Sequence, residues 1–92
     1  MKSKIWSYNN ADGTKTHVIE CPGCKTGHPF DSRIWTFNGD YQKPTFMPSM
    51  LVNKDDPKSR CHSFVKDGKI QFLDDCFHIL KNQTVELPDV EE

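Results

Sequence analysis

The segment Ser63-Phe64-Val65-Lys66-Asp67-Gly68-Lys69-Ile70-Gln71-Phe72 predicts a β-hairpin. Asp-Gly is typical of the two-residue type I′ turn, because both turn residues need a positive φ. With this loop, Lys66 pairs with Lys69, and the side chains alternate outward from that pair. The pairing puts Cys61 at the open end of the hairpin, on its more apolar face. His62, the next residue, falls on the opposite face.

A second cysteine-bearing segment is Cys21-Pro22-Gly23-Cys24. Proline fixes φ and glycine permits a tight turn, so both thiolates can point at one ion. The following Lys25-Thr26-Gly27-His28-Pro29 breaks the helix that a thioredoxin-like redox pair requires. A disulfide scaffold needs an oxidising compartment, for which the sequence gives no sign. This segment, the cysteine knuckle, therefore predicts half of a zinc site.

The other half of the zinc site is expected at the base of the hairpin. Cys76 lies three residues past Leu73, close to the end of the hairpin that carries Cys61. Two thiols there can meet the knuckle in a closed tetrahedral site, which would make the zinc structural. His62 or His78 in place of one cysteine is the alternative. The predicted metal ligands are Cys21, Cys24, Cys61 and Cys76.

The composition indicates why such an ion would matter. The 92 residues suit one domain, and only 35% of them are hydrophobic, so the core is thin. A closed zinc site contributes about 10–16 kcal/mol to folding in zinc-finger peptides. We therefore expect a single zinc-stabilised domain over residues 1–92, with a frayed acidic tail over residues 88–92.

β-Branched and aromatic residues outnumber good helix formers, which favours strands. The predicted fold is a small β-rich domain with a zinc-ribbon or rubredoxin-like knuckle, a β-hairpin and one short helix around residues 75–80. We expect His17 to be an ordinary surface or sheet residue, and Trp6 and Trp35 to lie in the core. The predicted strands cover residues 4–8, 15–20, 34–37, 46–52, 63–66, 69–73 and 84–87.

Charge and hydropathy exclude several classes of partner. A net charge of −1 gives no electrostatic attraction to phosphate backbones or anionic lipid, so nucleic acid is not an expected partner. No apolar run approaches the ~20 residues of a transmembrane helix. The first residues lack the apolar stretch of a signal peptide, which predicts a cytoplasmic protein.

Three histidines lie near the cysteines in sequence: His28, His62 and His78. If they converged beside the zinc, an open coordination position would permit hydrolysis, with Asp75 or Asp74 as base. Neither His-Glu-x-x-His nor the zinc deaminase pattern is present. These residues are therefore catalytic candidates only under the alternative that the protein is a hydrolase.

The segment Pro44-Thr45-Phe46-Met47-Pro48-Ser49 is expected to be extended, because a residue before proline avoids the helical region. It predicts either a rigid edge that packs Phe46 on the core or a loop that contacts a partner. Ser49 as a nucleophile would need a base, and the sequence places none beside it. The candidate partner-binding residues are Asn38, Asp40, Thr45 and Ser49.

Several motifs occur in the order found in one family. They include Cys-Pro-Gly-Cys at residues 21–24, Pro-Thr-Phe-x-Pro-Ser at 44–49, Cys-His-Ser-Phe-Val-x-Asp-Gly-x-Ile-x-Phe at 61–72 and Asp-Cys-x-His at 75–78. Over roughly residues 17–89 the chain resembles uncharacterised small phage and prophage proteins that share a domain of unknown function. Relatives of these proteins lie beside bacterial ubiquitin-like conjugation genes. Lys25 and Met47 depart from the family pattern.

The resemblance implies a metal-binding phage protein in the cytoplasm of the bacterial host. We expect a protein-interaction module that binds a host or phage protein and modulates host machinery or defence, with zinc as scaffold. The alternative is a zinc-dependent, peptidase-like hydrolase with a Cys/His metal site. The sequence favours the module over the enzyme.

Overall fold

The computed structural model describes residues 3–90, which form two antiparallel β-sheets. One sheet has three strands in the order β1-β2-β3, and the other has five in the order β4-β5-β6-β7-β8. No helix is present within residues 3–90, and hence none that could span a bilayer. The strands are β1 (Ile5–Asn9), β2 (Lys15–Cys21), β3 (Thr26–Asp31), β4 (Thr36–Phe37), β5 (Phe46–Val52), β6 (Cys61–Lys66), β7 (Lys69–Phe72) and β8 (Thr84–Glu86).

The three-stranded sheet contains a strand that was not predicted. β3 includes Gly27 and Pro29, and such residues weaken the pattern of a strand. Proline is tolerated because β3 is an edge strand, where Pro29 pairs with Val18 of β2. β3 thus follows directly from the cysteine knuckle and returns along β2.

The hairpin predicted in the five-stranded sheet is confirmed. Asp67 and Gly68 have φ values of 53° and 78°, as a type I′ turn requires. Lys66 pairs with Lys69, and the predicted register continues along β6 and β7. The predicted β-rich fold class is therefore correct.

The short helix predicted around residues 75–80 does not form. The backbone N–H of Phe77 donates to the carbonyl of Arg60, 2.9 Å away, instead of to the segment's own backbone. The N–H of Lys81 donates to His78, which closes a turn. The segment after β7 is held by the neighbouring loop, and this contact outweighs its weak helix propensity.

Aromatic side chains join the two sheets. The ring of Phe30 on β3 stacks on Phe46 of β5, with centroids 4.2 Å apart. Trp35 packs edge-to-face on Phe30, partly buried as expected, whereas Trp6 is 47% exposed and is not a core residue. The buried apolar cluster consists of Ile5, Ile19, Cys21, Phe30, Phe46, Met50, Cys61, Val65, Ile70, Phe72, Cys76 and Leu87.

His17 is a residue of the central strand β2, and it is buried. It is 6% exposed, and its ring lies 4.4 Å from that of Phe37. Its Nδ1 is 2.6 Å from the hydroxyl of Ser7. Of the two expected positions, the sheet is confirmed and the surface is not, because one face of β2 packs against the five-stranded sheet.

The two ends of the described chain lie together. Val90 forms a bridge with Ser3, and the ammonium of Lys4 is 3.0 Å from the carboxylate of Asp89. Leu87 is fully buried. Asp89 and Val90 of the predicted frayed tail therefore contact the two residues that precede β1, and residues 91–92 lie outside the described part of the chain.

Candidate active site and metal cluster

Ser49 lies where the pairing of β5 with β6 is irregular. Phe46 pairs with Val65, and Met50 pairs with Ser63. From 46 to 50 is four steps along β5, whereas from 65 to 63 is two along β6, so β5 carries two extra residues there. Bulges of this kind re-aim a side chain and are common beside active sites. Ser49 sits inside this bulge.

The side chains of Ser49, His62 and Asp75 form a continuous chain of hydrogen bonds. The Oγ of Ser49 lies 3.0 Å from His62 Nε2. The Nδ1 of the same ring lies 3.2 Å from Asp75 Oδ2. The side chains of His62 and Asp75 are 24% and 35% exposed, so solvent and a substrate can reach them. The arrangement is that of a Ser-His-Asp catalytic triad.

Such a triad turns a serine hydroxyl into a nucleophile. A histidine that carries its proton on Nδ1 donates to Asp75 and accepts the hydroxyl proton of Ser49 on Nε2. The order Ser, His, Asp along the chain differs from the orders in chymotrypsin, subtilisin and the α/β-hydrolases. Because the same triad recurs on unrelated folds in different orders, geometry decides the assignment.

The backbone around His62 is held by the segment after β7. The N–H of Leu73 donates to the His62 carbonyl, 3.0 Å away. The N–H of His62 donates to the sulfur of Cys76, 3.1 Å away. This segment also carries Asp75, so it brings the carboxylate to the imidazole.

A cluster of cysteines and histidines lies next to the triad. The ligand atoms of its first group, Cys21, Cys24, His28 and Cys61, all lie within 4.8 Å of one another. Cys61 also belongs to a second group with Cys76 and His78, within the same limit. These residues are positioned to bind a metal ion.

Two distances in the cluster fit tetrahedral coordination. The sulfurs of Cys21 and Cys61 are 3.9 Å apart, and the Cys61 sulfur is 3.6 Å from His78 Nε2. A tetrahedral zinc with its usual bonds to sulfur and nitrogen would separate them by about 3.8 Å and about 3.5 Å. The donors therefore lie at spacings that one ion can bridge.

Close packing holds the histidines on the knuckle. A Cβ on Gly23 would overlap the ring of His78, so only glycine fits in the turn. Among the described residues, neither His28 Nε2 nor His78 Nδ1 has a hydrogen-bond partner, although both atoms are buried. Buried polar atoms are normally satisfied, and a ligand would meet this need for at least one histidine.

The thiols influence one another's ionisation. A hydrogen bond from Cys61 lowers the pKa of Cys21 to about 3. Burial raises the pKa of Cys24 to about 11, and the contact with Cys21 together with burial raises that of Cys61. Cys24 and Cys61 therefore keep their protons at neutral pH, and a metal ion that bound here would displace them.

The structure brings all four predicted cysteine ligands into this cluster, together with His28 and His78. His62, an alternative ligand from the sequence, belongs to neither group of the cluster and has both ring nitrogens next to Ser49 and Asp75. The three histidines therefore do not surround one ion. The alternative of a zinc-dependent hydrolase required all three histidines beside the zinc.

The predicted partner-binding residues separate in the structure. Asn38 Oδ1 accepts from the backbone N–H groups of Asp40 and Thr45, each 3.1 Å away. Asp40 accepts from the backbone N–H of Lys43 at 3.0 Å. These polar groups stabilise their own loop, whereas Ser49 joins the triad.

Sequence reasoning missed the role of Ser49 because the base comes from another strand. The sequence nevertheless contained a signal for the other two triad residues, His62 and Asp75. If Cys61 and Cys76 share an ion, their neighbours His62 and Asp75 must also lie close together. The pairing of Ser49 with His62 depends on the bulge in β5, for which Pro48 inside the strand is a local signal, because proline within a sheet is confined to edges and bulges.

The match to a known family includes two of the three triad residues. The profile of the family described as bacterial ubiquitination-like system serine protease (BubE) matches residues 1–73. The span includes Ser49 and His62, while Asp75 lies two residues beyond it. No curated protein and no solved structure matches the chain. The predicted phage origin is not confirmed, and the chain belongs to the BubE family of bacterial ubiquitination-like system serine proteases.

Proposed function

We propose that this protein is a serine protease that hydrolyses an amide bond in a protein of a bacterial ubiquitination-like system. The observation that carries the proposal is the hydrogen-bonded chain Ser49–His62–Asp75, at 3.0 Å and 3.2 Å. The family match supports the same reaction class independently of the geometry.

The proposed reaction proceeds through an acyl-enzyme. The Oγ of Ser49 attacks the carbonyl carbon while His62 Nε2 takes the hydroxyl proton. The imidazolium then gives this proton to the leaving amine as the C–N bond breaks. A water molecule, deprotonated by the same nitrogen, releases the acyl group and regenerates the serine. Asp75 holds the ring in the required tautomer and stabilises its positive charge.

We further propose that the ion of the cluster is structural zinc. Thiolate-rich sites with imidazole select zinc among common divalent ions, and the observed spacings suit its tetrahedral geometry. The cluster offers more donors than four, so a closed shell can form. When bound, the ion would cross-link the thin core. A full set of protein ligands would leave it no open coordination position.

The partner of such a protease is its protein substrate, in the cytoplasm of a bacterium. A binding module that modulates host machinery, the function favoured by the sequence, has no specific observation in its support. The exposed triad instead favours an enzyme, because an interaction surface does not need a hydrogen-bonded serine, histidine and carboxylate.

Labelling with a fluorophosphonate, which reacts covalently with activated serines, tests the proposal. We expect the purified protein to take up one label, located on Ser49 by peptide mass spectrometry. Ser49→Ala should abolish labelling, whereas Ser32→Ala, at an exposed serine outside the site, should retain it. Absence of labelling in the folded, metal-loaded protein would contradict the proposed function.

A further inference from the structure

The histidine and the aspartate of the triad are each adjacent in sequence to a cysteine of the metal cluster. His62 follows Cys61, and Asp75 precedes Cys76. Because consecutive side chains of a strand point to opposite faces, Cys61 is fully buried while His62 lies on the partly exposed face. The same two stretches of backbone therefore carry His62 and Asp75 of the triad, and Cys61 and Cys76 of the cluster.

Cys76 also contacts the backbone of the catalytic base. Its sulfur accepts from the N–H of His62 at 3.1 Å and lies 3.0 Å from the carbonyl oxygen of the same residue. The ligand atoms of Cys61, Cys76 and His78 lie within 4.8 Å of one another. An ion bound to both cysteines would fix the separation of the two backbone stretches that hold the imidazole and the carboxylate.

We infer that the metal ion positions the catalytic triad, with Cys61 and Cys76 as positioning residues for the hydrogen bond between His62 and Asp75. The ion takes no part in bond breaking, but hydrolysis depends on its presence. This inference rests on the proposed catalytic role of Ser49. A displacement of about 1 Å within a catalytic site can lower the rate about 100-fold, so a small relaxation of these stretches is sufficient.

The test compares Cys76→Ser with Cys24→Ser, each purified with saturating zinc. Both variants replace one cluster thiol with a hydroxyl, but only Cys76 contacts the triad. The readouts are zinc content by elemental analysis, the labelling rate of Ser49, and the low-field proton resonance of His62 Nδ1–H. In Cys76→Ser we expect labelling per bound zinc to fall about 100-fold and the resonance to disappear. In Cys24→Ser labelling should fall only in proportion to the zinc lost.

A metal exchange separates positioning from metal chemistry in the unaltered protein. Cadmium, which also binds thiolates, should retain both the labelling rate and the low-field resonance. Metal-free protein that circular dichroism shows to be folded should label about 100-fold more slowly. A wild-type rate in metal-free protein that remains folded would overturn the inference.

Equal labelling per bound zinc in the two serine variants would also overturn it. If a serine variant is unfolded, the pair Cys76→His and Cys24→His keeps a metal ligand at each position, and equal labelling in this pair would overturn the inference in the same way. Failure of the zinc-loaded, unaltered protein to label at Ser49 would instead contradict the proposed function. The two failures are therefore distinguishable.

Discussion

The two sheets differ in what they contribute to the site. All three triad residues lie on or directly after strands of the five-stranded sheet, as do Cys61 and Cys76. The three-stranded sheet supplies Cys21 at the end of β2 and His28 on β3. The cluster thus joins the two sheets, while the triad belongs to one. Substitutions in the cluster are therefore expected to lower fold stability, whereas substitutions in the triad should affect catalysis alone.

Both sheets expose apolar side chains. Residues 16–19 of β2 are buried, but in β1 of the same sheet Trp6 and Tyr8 are each 47% exposed. On the five-stranded sheet, Leu51 and Phe64 are 42% and 38% exposed, close to His62 in the pairing of β5, β6 and β7. An apolar, accessible surface beside a triad suits a protein substrate.

The largest expected effect is at the junction of the sheets, in Cys21→Ser. Loss of this ligand should remove the metal and unfold the domain, because a structural zinc contributes about 10 kcal/mol and small domains have about 5–15 kcal/mol in total. Thermal melts by circular dichroism, with and without a strong chelator, measure this. An unchanged midpoint after verified removal of the metal would show that the core is sufficient alone.

The next effect concerns catalysis without loss of structure, in His62→Ala. We expect labelling of Ser49 to slow by about 10²–10⁴-fold, since the general base is removed. The zinc content should stay the same, because His62 belongs to neither ligand group. Elemental analysis and labelling on the same sample make the comparison. Loss of one equivalent of zinc would place His62 in the metal site instead.

The fold was predictable wherever the signal was local. Asp67-Gly68 sets the type I′ turn, and that turn determines the register of β6 on β7 residue by residue. The two faces of β6 follow from the register, so the separation of Cys61 from His62 could be foreseen. The hairpin and the knuckle together predicted that the four cysteines lie close to one another.

Features that depend on distant parts of the chain were not predictable. Ser49 reaches His62 only because β5 contains two extra residues, and their number is evident only from the pairing with β6. The helix expected after residue 74 is replaced by turns because the N–H of Phe77 finds the carbonyl of Arg60. β3 escaped prediction because its proline is acceptable only at an edge.

A moderate effect is expected in the three-stranded sheet, in His17→Ala. The ring lies between the sheets against Phe37, and burial lowers its pKa, so it packs as a neutral side chain. Its loss should cost about 2 kcal/mol, or about 10 °C in Tm, with labelling of Ser49 retained. His17→Phe is the matched control, because it keeps the ring and loses the contact with Ser7. A variant that also lost labelling would link this sheet to the triad.

The smallest effect is expected at the surface of the same sheet, in Arg33→Ala. The guanidinium lies 2.7 Å from Asp31 and 3.2 Å from Asp12, and its hydrogen bonds lower the pKa of Asp31 to about 2. The ion pair therefore contributes at neutral pH and is lost as the pH falls through about 2.

These groups are exposed, and solvent screens their attraction, so Tm should fall by less than in His17→Ala. The difference between Arg33→Ala and the unaltered protein should shrink further in 1 M salt, where the Debye length is about 3 Å. Lys54→Ala, in the exposed loop after β5, is the control for loss of a positive charge. Melts at low and high salt measure the effect. A shift equal to that of His17→Ala and insensitive to salt would mean that Arg33 stabilises the sheet by packing of its side chain, not by charge.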